Sequence, residues 1–111
     1  MVTPSVGAVV LVRFPFSDLT DSKLRPALVL ADAGRDDWVL CQITSQSYAD
    51  ANAISISDSD FANGSLIKVS YARPAKLFTA NSTIITKIVG ELRSAKTHET
   101  LDAVRMLFDQ K

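Results

Sequence analysis

Two arginines, each directly before a proline, are the groups in this sequence best suited to chemistry: Arg25-Pro26 and Arg73-Pro74. Proline pushes the residue ahead of it into extended backbone, so Arg25 is expected at the mouth of a strand with a fixed direction. A guanidinium held there, with five donors and a permanent charge, suits a phosphate or a carboxylate. It would equally serve to cap a sheet edge by pairing with a neighbouring aspartate. Thr44, Ser45 and Gln46 follow another apolar run. If the two runs pair as strands, those hydroxyls come to lie beside Arg25. Lys23, Arg73 and Lys76 are further cations for a polyanion, and Arg73 has a competing use as an ion pair with Asp18 or Asp21.

Other chemistries lack their residues. His98 is the single histidine, so one chain cannot supply a two-histidine acid–base pair. The single cysteine, Cys41, excludes an internal disulfide and a cysteine metal cluster; inside an apolar run it reads as a small buried hydrophobe. Asp58 and Asp60 lack the rest of a calcium loop, and no glycine-rich phosphate loop is present. No metal and no cofactor are expected.

With 111 residues the chain is expected to form one domain, 1–111. No apolar run approaches the roughly 18 to 20 residues that cross a membrane. Met1 to Gly7 does not read as a signal peptide, so the cytoplasm is the expected compartment. The formal net charge is zero, yet its distribution is uneven. Eight of twelve carboxylates fall between Asp18 and Asp60, whereas Phe61 to Gly90 has none and carries Lys68, Arg73, Lys76 and Lys87. Folded onto one face with Arg25 and Lys23, these would give a neutral protein a basic groove; scattered, they are solvated strand lysines.

The elements that must position these groups are mostly strands. Ala8 to Phe14, Pro26 to Asp32, Trp38 to Thr44, Ala53 to Ser57, Ser65 to Tyr71, Ala75 to Thr79 and Ile84 to Leu92 read as strands from their apolar and alternating residues. Leu66, Val69 and Tyr71 are expected in the core. Phe16 to Lys23 and Ser45 to Asn52 read as polar loops, and Asp58 to Gly64 as one helical turn. Arg73-Pro74 is expected at a junction, and Ala80-Asn81-Ser82 as a turn. From an N-cap at Thr97 the apolar spacing switches to a helix through Leu101, Val104, Leu107 and Phe108. Phe14, Trp38, Phe78 and Phe108 are expected in the core. Short strands closed by one helix imply a small, strongly bent sheet or open barrel, mainly β within the α+β class.

Several stretches in order resemble the PemK/MazF family of type II toxins: Gly7 to Phe14, Arg25 to Leu30, Gln42-Ile43-Thr44-Ser45-Gln46, Gly64 to Ser70, Arg73 to Leu77, and Ile88 to Leu92. The resemblance implies an SH3-like barrel that forms a homodimer. It also implies metal-independent cleavage of single-stranded RNA and neutralisation by a cognate antitoxin. It carries the catalytic roles onto Arg25 and Thr44, with Lys23, Ser45, Gln46, Arg73 and Lys76 as RNA-binding candidates. Asp18 or Asp21 would be the carboxylate assisting proton transfer, and Phe16 and Tyr48 could stack on unpaired bases. The alternative keeps the fold without the chemistry, as a non-catalytic or gyrase-poisoning toxin.

Overall fold

The computed structural model of the chain describes residues 3–14, 23–47 and 50–110, with the side chains of Phe14 and Lys23 outside that description. Seven strands form one antiparallel sheet: β1 Ala8–Phe14, β2 Lys23–Gly34, β3 Asp37–Thr44, β4 Ile54–Ile56, β5 Phe61–Gly64, β6 Ser70–Asn81 and β7 Ile85–Leu92. The order across the sheet is β4-β6-β3-β2-β1-β7-β5. One helix, α1 Ser94–Leu107, closes the chain. Register shifts in the β1–β7, β2–β3, β3–β6 and β5–β7 ladders bend the strands, as extra residues in one strand of a pair do. The sheet curls into the expected open barrel.

The central strands are apolar at successive positions because both of their faces are covered. Val10, Val12, Ala27, Val29 and Leu40 pack on one side with Trp38 and Ile85. Val9, Leu28, Cys41 and Ile43 pack on the other, where Leu101, Ala103 and Val104 of α1 close over them. The register carries this alternation across the sheet: Val9 faces Leu28 and Leu28 faces Cys41, whereas Val10 faces Ala27 and Val29 faces Leu40.

The β2–β3 connection is the two-residue turn Arg35-Asp36, both at positive φ, 56° and 63°. Ser82, one residue past the β6 residue Asn81 that pairs with Asp37, holds it. Its backbone N–H donates to Asp36 O at 2.8 Å, and its hydroxyl donates to the same oxygen at 3.2 Å. Trp38 Nε1 donates in turn to Ser82 Oγ at 3.1 Å.

Several expectations change. Phe61–Gly64 is a strand paired with β7, and only Asp58–Asp60 is helical. The β5–β7 approach rests on two opposed glycines. A Cβ on Gly64 would lie 2.1 Å from Val89 O, and one on Gly90 would lie 2.7 Å from Asn63 O. Ser65 to Val69 precedes the strand that begins at Ser70; Val69 is exposed, Tyr71 is half-buried, and Leu66 alone packs on the core as expected. Arg73-Pro74 lies inside β6, which runs on through Ala80 and Asn81. The helix starts one turn early, with Arg93 as N-cap accepting from the Lys96 and Thr97 N–H groups. Ser94 to Lys96 has no large apolar residue to reveal that turn, and Thr97 is buried. Trp38 is in the core and Phe78 packs against it, but Phe108, just past the helix, is 78% exposed.

Candidate functional site

The site begins where β3 loses its neighbours. β2 is paired with β1 from Val9↔Leu28 to Phe14↔Lys23, but its ladder with β3 runs only as far as Ala27↔Gln42. The next β2 residue is Pro26, which has no N–H to donate. On the opposite flank of β3, Cys41 pairs with Leu77 and Ile43 with Ala72, so residues 73–76, Pro74 among them, loop out opposite Gln42. Each Arg-Pro pair thus marks an interruption of a ladder, and the two interruptions flank the same stretch of β3.

A cavity of about 630 Å³ opens there. Arg25, Thr44, Ser45, Gln46 and Arg73 line it, together with Gln42, Lys68, Ser70 and an apolar rim that includes Leu24 and Ile67. Arg25 and Thr44 stand two residues beyond the Ala27↔Gln42 pair on their adjacent strands. Three cations and no carboxylate line the cavity among the described residues, so its field favours an anion. Thr44 Oγ1 accepts from the Gln46 backbone N–H at 3.2 Å, which fixes the hydroxyl's orientation and leaves its proton to donate.

Arg73 is held from the loop side. Its Nε lies 3.7 Å from Asp50 Oδ2, with the two side chains only 21% and 12% exposed. Its carbonyl accepts from Cys41 Sγ at 3.1 Å. Burial pushes the Cys41 thiol from 9.0 up to about 12. The thiol is therefore a packed, protonated donor.

The sequence from residue 5 to 108 matches the family of PemK-like, MazF-like toxins of type II toxin–antitoxin systems. The chain belongs to this family. Solved structures agree at the level of the fold. A MazE–MazF complex from Deinococcus radiodurans superposes with a TM-score of 0.78 at 16% identity, covering 100% of both chains. An endoribonuclease in complex with its cognate antitoxin, from a mycobacterial species, gives 0.74 at 15% identity, covering 100% of this chain and 98% of that one. A mycobacterial endoribonuclease gives 0.72 at 18%, covering 98% and 94%. No curated protein matches the chain in sequence.

Within the toxin, five of the seven residues singled out for catalysis or RNA binding line one cavity. Lys76 is exposed in the β6 loop-out and does not line it. Lys23 opens β2, but its side chain is outside the described residues, as are Asp18, Asp21, Phe16 and Tyr48. Among the described residues Arg73 has a carboxylate partner in Asp50, which sequence reasoning missed; the expected pairing with Asp18 or Asp21 lies outside those residues. Gln42 and Ser70 were missed as site residues too, and Lys68 was noticed only as part of the acid-free stretch. His98 is exposed at the helix surface, with Nδ1 2.9 Å from Ser94 O, and does not line the cavity. No described helix is long and apolar enough to cross a membrane.

Proposed function

We propose that this toxin is an endoribonuclease that cleaves single-stranded RNA without a metal. The 2′-hydroxyl attacks the adjacent phosphorus as its proton leaves. The P–O5′ bond breaks, and the departing oxygen takes up a proton. The products are a 2′,3′-cyclic phosphate and a 5′-hydroxyl end. Arg25 stabilises the extra charge on the phosphoryl oxygens, and Thr44 donates to one of them or orients the 2′-hydroxyl. Lys68 and Arg73 hold flanking phosphates, a role that carries no sequence information. Ser45 and Gln46 hydrogen-bond the same strand. Asp18 or Asp21 assists proton transfer.

The observation that carries this reading is the juxtaposition of Arg25 and Thr44 at the β2–β3 fork, in a cavity with cations and no carboxylate among its described lining. A homodimer would bring loops of two copies around the RNA. An antitoxin tail rich in acidic and apolar residues would suit the same cavity and its rim, competing with RNA for Arg25.

The test is incubation of purified protein with a long single-stranded RNA in chelator, beside Arg25→Ala and Thr44→Ala variants of confirmed fold. Discrete fragments are expected from the wild type, with the rate on removal of Arg25 falling about 10²- to 10³-fold. A second reading is favoured by the exposed Met106 and Phe108 at the end of α1: a non-catalytic toxin that binds its target, such as gyrase, through the helix. Intact RNA at concentrations that arrest growth would select it.

A further inference from the structure

Gln42 occupies the one position of β3 where the ladders on both flanks give way, at the end of the β2 ladder and opposite the β6 loop-out. It is half-buried, lines the cavity, and makes no side-chain hydrogen bond among the described residues. An amide carries a C=O acceptor and an N–H₂ donor side by side, a pair that matches the edge of a nucleobase and not a phosphate alone. Its setting is also rigid. Cys41 and Ile43 on either side are buried and paired with β6. Gln46, the other amide in the cavity, is exposed and lies beyond the end of β3.

Resting on the reading of this cavity as an RNA-cleaving site, we propose that Gln42 is a specificity-determining residue that reads the Watson–Crick edge of a base next to the scissile phosphate. Residues two apart on a strand are about 7 Å apart, so a phosphate at Thr44 brings the base of the same or the adjoining nucleotide within reach of Gln42. Arg25, Lys68 and Arg73 attract any RNA equally. Gln42 makes the mismatch costly, because the wrong base leaves a half-buried amide group unpaired.

The experiment sequences fragment ends from a long single-stranded RNA cut to low conversion by wild type, Gln42→Leu and Gln42→Glu, each with a wild-type-like melt. Wild type is expected to favour one base at a position beside the cut. Gln42→Leu flattens that preference by about tenfold or more while cleavage continues. Gln42→Glu presents acceptors only, so its preference moves toward guanine, whose N1–H and N2–H₂ both donate. Unchanged base frequencies in both variants overturn the proposal. In parallel, wild type and Gln42→Leu select binders from a randomised single-stranded RNA pool. If wild type binds without cutting, the nuclease reading fails, and loss of base enrichment in Gln42→Leu still supports base reading by Gln42. Identical bound pools overturn it.

Discussion

Cys41 contacts the Arg73 carbonyl and Asp50 its guanidinium, and each sets a measurable property of the site. The unfolded chain ionises its cysteine above about pH 9, whereas the folded protein keeps it protonated to about 12. Between those values the unfolded state binds fewer protons, so stability falls as pH rises. Denaturant melts at about pH 8 and about pH 10.5 are expected to show this loss in wild type and a shallower one in Cys41→Ala, whatever that variant costs at neutral pH. Asp50 acts by charge. Asp50→Asn removes a carboxylate 3.7 Å from Arg73 Nε and lowers stability by about 1 kcal/mol. The same change removes the carboxylate that competes with phosphate for Arg73. The variant is therefore expected to bind single-stranded RNA more tightly while melting earlier; weaker binding would mean that Asp50 instead holds Arg73 in its phosphate-binding position.

The strands legible from the sequence were those whose own residues fix them. Ala8–Phe14 has the bounds its own residues indicate, and Arg25 and Thr44 stand out because Arg-Pro and Thr-Ser-Gln are local features at strand ends. What escaped depends on pairing between distant segments. Pro74 reads as a strand breaker, yet β6 passes through it by looping out against β3, so a junction was expected where a continuous strand stands. Gln42 is an ordinary polar strand residue until both flanking ladders are known, and Asp50 carries no mark of Arg73 as its partner. The hairpin turn tests the balance between local and distant terms. Arg35 and Asp36 sit in the left-handed region at a cost of about 1 kcal/mol or more each, held by Ser82. Replacing both with Asn-Gly, the pair such turns prefer, is expected to stabilise the protein by about 1 kcal/mol. In the reverse sense, Gly90→Ala drives a Cβ into Asn63 O and the Phe61 ring, and a fall in thermal midpoint of several degrees is expected.

Over the whole molecule, the formal charge of zero gives no hint of a polyanionic ligand. What matters is where the charges go. Many carboxylates lie between Asp18 and Asp60, and the acid-free run from Phe61 to Gly90 feeds β6 and the loop before it, which bring Arg73 and Lys68 to the cavity that Arg25 reaches from β2. Single-strand binding that neutralises about three phosphates releases counterions with a slope of log K against log salt near −2. Titrating a short single-stranded RNA at several salt concentrations is expected to give that slope. Lys68→Ala should reduce its magnitude by about 0.7, the value for one phosphate contact, without altering which base is favoured. Lys87→Ala, a cation of the same acid-free run that does not line the cavity, should leave the slope unchanged. A slope near zero for wild type would mean that the cavity takes up a neutral or apolar group, and the rim of Leu24 and Ile67 would then be its principal contact.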